Sequence, residues 1–434
     1  MLIRQTKWTF FGIAVAITIG SAALAQEATG TITATYTLPE ITIADAQNAV
    51  LPDSITNDRK LLLGGTGSDL WHGATDAADE FWMITDRGPN GQISVEDKNR
   101  RTFPIPEFTP LILHVKVEGD AITVLETLPI VNGEGNAVTG LSNLADHDEK
   151  PWDYAAAEEL TFDQDGLDSE GIVRTTAGDF WLVEEYGPSI VKVNAQGQVV
   201  KRFVPEGLVY DAATYEVVDT LPAILATRRG NRGFEGIALS ADEKTLYAAV
   251  QSPLRNPDAD TGDNSASVRI IAFDLTTETV TGEYIYVLQD PAEFGFEGEP
   301  GEMKISGLIA YGDQGLLVLE RTDPVAKVYL ADFSSATNIA GTAWDDAATA
   351  PGIEALSDLA ASEVVPMTKT LVVDLDTIDG VPDKIEGIAL LDNETLVIAN
   401  DNDFAIGDFD AEGNNISTGV ASQILFIKLA TPLE

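Results

Sequence analysis

The chain contains no cysteine. That excludes a disulfide framework, a thiolate zinc site, a cysteine nucleophile and a bacterial lipid-anchor cysteine. Histidine is almost as scarce, with three residues whose spacing does not make a histidine-based zinc centre. His114 lies inside an apolar run and reads as structural, whereas His72 beside Trp71 and His147 among Asp146, Asp148 and Glu149 face either solvent or a site. Basic residues are few: 26 Lys and Arg stand against 70 Asp and Glu, for a net charge of −44. Such a surface repels nucleic acid and anionic membranes, so neither is expected as a partner. There is no Gly-x-Ser-x-Gly elbow, no phosphate-binding Gly-Lys-Ser/Thr loop and no dinucleotide fingerprint. No apolar run reaches the roughly 20 residues that a transmembrane helix needs.

Near the N-terminus, Arg4 and Lys7 precede the apolar stretch from Trp8 to Ile19, and Ala23-Leu24-Ala25 offers a small-residue cleavage site. Residues 1–25 therefore read as a cleavable signal peptide, and the mature chain 26–434 as one exported domain, periplasmic or secreted. The acid excess has two compatible readings. One is solubility in a salty medium, and the other is that some carboxylates hold hard cations such as Ca²⁺, which prefer oxygen ligands.

The most informative feature is a phrase written four times: Ser169-Glu170-Gly171-Ile172, Phe234-Glu235-Gly236-Ile237, Ile305-Ser306-Gly307-Leu308 and Ile385-Glu386-Gly387-Ile388. After each come a turn and a second apolar run, such as Phe180-Trp181-Leu182-Val183 or Thr395-Leu396-Val397-Ile398, and then a third. The first three units add a fourth run. Short β-branched and aromatic runs bounded by turn residues are strands, and a four-strand unit recurring at 65, 71 and 80 residues is the blade of a propeller.

The expected fold is all-β, a β-propeller of four-stranded antiparallel blades. An earlier, looser unit from Asp69 to Leu128 brings the count to five, and the irregular stretch from Val131 to Phe162 fits either a loop or a degenerate sixth blade. The last unit ends with three strands, while Thr31 to Leu38 is a spare alternating strand that would join it and close the ring. The segment from Ser334 to Val365 reads as a loop with one short helix.

First strands begin and second strands end on the same face of a blade. The glutamates Glu170, Glu235 and Glu386 should therefore share a rim with the polar second-strand ends, which contain Asp86, Glu184-Glu185, Gln251, Glu320-Arg321 and Asp401. A mouth lined with so many acids is either bridged by cations or neutralised by Arg87, Arg232, Arg269, Arg321, Lys304 and Lys384, which also suit an anionic group such as phosphate. Isolated acidic loops (Asp163, Asp165 and Asp168; Asp258, Asp260 and Asp263; Asp408 to Gly413) lack complete calcium-loop spacing and read as solvated turns.

Asp86-Arg87-Gly88, Glu185-Tyr186-Gly187-Pro188-Ser189, Arg232-Gly233-Phe234-Glu235-Gly236, Gln251-Ser252-Pro253-Leu254, Ile305-Ser306-Gly307, Lys384-Ile385-Glu386-Gly387 and Asn400-Asp401-Asn402-Asp403-Phe404 resemble, in order, the bacterial phytase-like family, also called esterase-like activity of phytase. The resemblance runs from about Leu62 to Leu429. It implies an exported, carboxylate-rich propeller hydrolysing phosphomonoesters or phosphodiesters, with Glu170, Glu185, Glu235, Glu320, Glu386 and Asp401 as the functional acids. Ser306 and Gln251 interrupt the acidic pattern. Expected roles are Glu235, Glu386 and Glu170 in catalysis; Arg232, Arg321, Arg87, Lys304 and Lys384 on substrate; and Asp86, Glu170, Glu185, Glu235, Glu320, Glu386 and Asp401 on Ca²⁺. The expected partner is a small-molecule phosphoester met by a monomer. A lactonase or carboxylic esterase, and a non-catalytic binding propeller, are the competing readings.

Overall fold

A computed structural model describes residues 28–434. The expected signal peptide lies outside these described residues, among which no helix is long and apolar enough to cross a membrane. The described chain forms a five-bladed β-propeller.

Blade 1 comprises Asp69–Trp71, Glu80–Ile84, Leu111–Glu118 and Ala121–Pro129, and blade 2 comprises Ser169–Arg174, Phe180–Glu184, Ser189–Val193 and Val199–Pro205. Blade 2 carries a fifth, parallel strand, Glu216–Leu221, on its outer edge. Blade 3 is Phe234–Leu239, Thr245–Val250, Ser267–Asp274 and Thr279–Val287; blade 4 is Lys304–Tyr311, Gly315–Arg321, Ala326–Asp332 and Thr368–Asp374. Blade 5 runs Ile385–Asp392, Thr395–Asn400, Gln423–Leu429, and then takes the N-terminal strand Gly30–Thr37 antiparallel to Gln423–Leu429. The expected closure is thus the observed one, and it covers an edge that would otherwise be open to another chain.

Each inner strand lies beside the next around the axis, and that of blade 5 returns to that of blade 1. The ring therefore closes at five. The stretch from Val131 to Phe162 is not a sixth blade: it is a loop whose one short strand, Pro151–Asp153, pairs with a hairpin, Gly91–Val95 and Lys98–Phe103, at the mouth. The segment from Ser334 to Val365 holds three single-turn 3₁₀ helices where one short helix was expected.

Burial follows the sequence pattern. The inner strand Phe234–Leu239 is buried at every position, which is why it reads as a continuous apolar run, whereas the outermost strand Ala121–Pro129 is mostly part-exposed. Apolar clusters lie between neighbouring blades, such as Phe81, Leu113, Val397 and Ile424 between blades 1 and 5.

The repeated glycines are where blades meet most closely. A Cβ on Gly171 would stand 2.8 Å from Ile237 Cγ2 and 2.9 Å from the Glu235 carbonyl oxygen of the next blade. One on Gly307 would stand 2.9 Å from the Glu386 carbonyl oxygen, and one on Gly387 would stand 2.9 Å from the Leu70 amide and 3.0 Å from Asp69 C. Each glycine thus faces the inner-strand backbone of its neighbour. Replacing Gly387 by Ala is expected to destabilise the protein by about 1–3 kcal/mol in urea unfolding, as overpacking does; an unchanged midpoint would contradict this close approach.

Candidate metal and anion site at the propeller mouth

The glutamate before each glycine sits in a β-bulge. Register passes from Ser169↔Glu184 to Gly171↔Val183, from Phe234↔Val250 to Gly236↔Ala249, and from Ile385↔Asn400 to Gly387↔Ala399, which leaves Glu170, Glu235 and Glu386 unpaired. A bulge re-aims the extra residue, here towards the mouth. Ser306 occupies the corresponding shift in blade 4. The local geometry repeats: the amides of Glu185, Gln251 and Asp401 donate to the carbonyls of Asp168, Gly233 and Lys384, each two residues before its glutamate.

The bulge also decides which second-strand residue reaches the mouth. Asp86, Glu185, Gln251, Arg321 and Asp401 line one cavity of about 350 Å³ with Glu170, Glu235 and Glu386. The residue just before, paired within the blade, stays inside. Glu184 accepts from Ser189 Oγ (3.1 Å) and Asn143 Nδ2 (3.2 Å). Glu320, expected as a metal ligand, is likewise buried between blades, where it accepts from Tyr286 Oη (2.7 Å) and the Gln289 amide (3.0 Å) and pairs with Lys369. It is not part of the mouth, and Arg321 takes the place that an acid holds in blades 1, 2 and 5.

The mouth acids of blades 1 and 2 make no ion pair of their own, although Arg87 lies near Asp86 and Glu185. No basic group comes within 4.0 Å of the Asp86, Glu170 or Glu185 carboxylates among the described residues, although Glu170 is only 8 % exposed and Glu185 only 3 %. Burial, then the charges of Glu235, Asp168, Glu185 and Asp86, hold the Glu170 carboxyl well above its ordinary range. Burial and neighbouring acids raise Asp86 and Glu185 in the same way. Glu386 is pushed up to about 8 by burial, against the pull of Arg321 and Lys384. At Asp401 burial acts in the same sense, but the Lys384 ammonium at 2.8 Å prevails and holds the carboxyl low.

Asp86, Asp168 and Glu170 each offer a carboxylate oxygen within 4.8 Å of the others, and so do Glu170, Glu235 and Glu386. Glu235 Oε2 is buried without a hydrogen-bond partner. Converging oxygen-only donors, of which Asp86 and Glu170 make no ion pair among the described residues, fit a hard divalent cation such as Ca²⁺; no histidine lines the cavity to favour a softer ion.

The basic residues divide. Arg87 lies 2.9 Å from Asp168 and also bonds Asn231. Arg321 pairs with Glu386 and Asp323 and donates Nε to Ser306 Oγ at 2.7 Å, while Lys384 is held by Asp401 and Asp403 and Lys304 by Asp323. Arg269, expected beside the mouth, is buried elsewhere with Glu283 and Glu354. Arg232 differs from all of these. Its Nη1 donates to Ser252 Oγ (2.8 Å) and to the carbonyls of Gly301 and Glu302, and it makes no ion pair within 4.0 Å among the described residues. Burial and the nearby Arg229 lower its proton affinity to about 10.

The Phytase-like family model, described as esterase-like activity of phytase, matches residues 64–404. The chain belongs to that family. A protein of Arthroderma benhamiae described as an uncharacterized secreted protein is 29% identical over 275 residues, 53% of this chain and 54% of the relative, so the alignment spans about half the length of each. Among solved structures, a calcium-binding regucalcin of Agrobacterium tumefaciens aligns over 85% of this chain and 93% of its own at 12% identity, with a TM-score of 0.34. Virginiamycin B lyase of Staphylococcus aureus aligns over 81% and 99% at 13% identity, with a TM-score of 0.29.

In this phytase-like propeller the structure adds residues that sequence reasoning passed over. Asp168 was visible only as part of an incomplete calcium loop, yet it is fully buried beside Arg87. Asn90, Gln92 and Arg101 reach the cavity from the hairpin, and Glu149 from the loop beyond it, with Arg101 Nε donating to Glu149 at 2.9 Å. One signal for the correct second-strand register was present: Asp86, Glu185 and Arg321 all stand three residues before a proline, at Pro89, Pro188 and Pro324.

Stability of the metal-free protein follows from these acids. Burial raises Asp69, Glu184 and Glu386 from ordinary values of 3.8 or 4.5 to about 8. A carboxyl that binds its proton more tightly when folded contributes stability below its unfolded pKa, and that contribution is lost as pH rises towards the folded value. In chelator, Tm is therefore expected to fall between about pH 5 and pH 8, with added Ca²⁺ restoring more at the higher pH. A chelated protein whose Tm rises across that window would contradict these assignments.

Proposed function

We propose that the chain is an exported phosphoric ester hydrolase that works as a monomer on small-molecule phosphoesters and depends on Ca²⁺. The observation that carries this reading is the polarity of the mouth. Asp86, Glu170 and Glu185, which make no ion pair among the described residues, line one cavity together with Arg232, which makes none either, and Lys304. A divalent cation together with a phosphate is a ligand pair that answers both sets of groups.

Asp86, Asp168 and Glu170 would hold the cation, with Glu185 lining the same cavity and Glu170 shared with the axial pair Glu235 and Glu386. When bound, the cation supplies Lewis-acid polarisation of the phosphoryl oxygens and activation of water. Arg232 and Lys304 bind the anionic oxygens and orient the ester, and Arg321, fixed by Asp323, Glu386 and Ser306, extends that cationic side. Glu235, whose Oε2 is free of partners, takes the proton from the attacking water.

A lactone or carboxylic ester would leave Arg232 without an anion, and the cavity lining contains no apolar side chain for an acyl or aryl group. A purely structural ring of acids calls for one-to-one pairing with arginines and no cavity, and neither describes this mouth.

The test is the purified mature chain assayed on phosphomonoesters, a phosphodiester and a lactone, with Ca²⁺ and with chelator. Expected are chelator-sensitive phosphate release, a fall in kcat of about 100-fold or more for Glu170→Gln, and a KM raised about tenfold or more for Arg232→Ala. Absence of chelator-sensitive phosphate release from every phosphoester would overturn the reading.

A further inference from the structure

Four blades place glycine after the residue aimed at the mouth: Gly171, Gly236, Gly307 and Gly387. Blade 1 does not. Its pairing Asp69↔Ile84 matches Gly171↔Val183 and Gly387↔Ala399, so Asp69 occupies the glycine position and Ser68 that of Glu170 and Glu386. The Asp69 side chain fills the space that the absence of a Cβ leaves elsewhere. Its Oδ2 accepts from the Ile172 amide of blade 2 at 2.9 Å and its Oδ1 from the Leu70 amide at 2.8 Å.

Inner strands have no partner on the axial side, so their amides there need some other acceptor. Ile172 stands two residues beyond the mouth glutamate Glu170. Asp69 is itself buried, 3 % exposed, and does not line the mouth cavity.

The geometry points to Asp69 as a positioning residue, a carboxyl clamp that joins the inner strands of blades 1 and 2 and sets the position of Glu170. It acts through backbone and does not touch that glutamate. Groups that fix metal ligands from behind typically change metal affinity by 10–100-fold when removed. The consequence for Ca²⁺ rests on the proposed function, whereas the clamp itself does not.

The experiment is Asp69→Asn and Asp69→Gly in the mature chain, the second giving blade 1 the residue of its neighbours. Two readouts are taken: amide exchange in the segment 169–174, and calorimetric titration with Ca²⁺ after chelation. Expected are a cooperative melt, exchange at Ile172 at least about tenfold faster, and Ca²⁺ affinity lower by about tenfold or more. Unchanged exchange at the Ile172 amide overturns the clamp whatever calcium does. Faster exchange with wild-type Ca²⁺ affinity reduces Asp69 to a structural residue and overturns its positioning role. Wild-type protein that binds no Ca²⁺ defeats the metal reading of the mouth, and the exchange result then decides the clamp by itself. If both variants fail to melt cooperatively, Asp69 is required for folding and the positioning role is likewise overturned.

Discussion

The close approach of five inner strands around one axis is the constraint on which the rest of this protein depends. Backbones that meet at the distances seen at Gly171, Gly307 and Gly387 leave no room for a Cβ, and the bulge beside each glycine turns the preceding side chain into the mouth. Fold and site are therefore one feature viewed twice. A glycine that lets blades touch is preceded by the residue that the bulge exposes, and in three blades that residue is glutamate.

Convergence of that kind concentrates charge. Three axial glutamates and the second-strand acids would repel one another in a buried setting, and the chain answers unevenly around the ring. Blade 4 replaces both acids, with Ser306 and Arg321, and blade 5 sets Lys384 against Asp401. Blades 1 and 2 leave Asp86, Glu170 and Glu185 without an ion pair of their own. The result is a polarised cavity in place of an evenly acidic one, and polarity is what separates a site for a cation and an anion together from a ring of structural acids. The two departures first visible as gaps in the repeat, Ser306 and Gln251, lie on the side where Arg232, Lys304 and Arg321 gather.

Much of this was legible in the amino-acid order. The Glu-Gly phrase, or Ser-Gly in blade 4, marks every inner strand but the first, and the lone alternating strand near the N-terminus matches the strand missing from the last unit. The first blade was harder to read because Asp69 replaces its glycine. Second-strand ends were misread at one position: Glu320 and Arg321 are adjacent, and only the bulge, which offsets pairing by one residue, sends Arg321 to the mouth and Glu320 between blades. Arg269 was misplaced because its partner Glu354 comes from an excursion 85 residues along the chain, a contact without local signature. The contribution of the hairpin with Arg101 and Gln92 was hidden for the same reason.

The central claim is that the mouth carboxylates of blades 1 and 2 form a divalent-cation site. Calorimetric titration of chelator-treated protein with Ca²⁺, beside a Glu170→Gln variant, tests it most directly. Saturable binding in the wild type that weakens by about 100-fold or vanishes in the variant is the predicted result, since Glu170 belongs to both groups of converging oxygens. No binding, or binding that Glu170→Gln leaves intact, would contradict it.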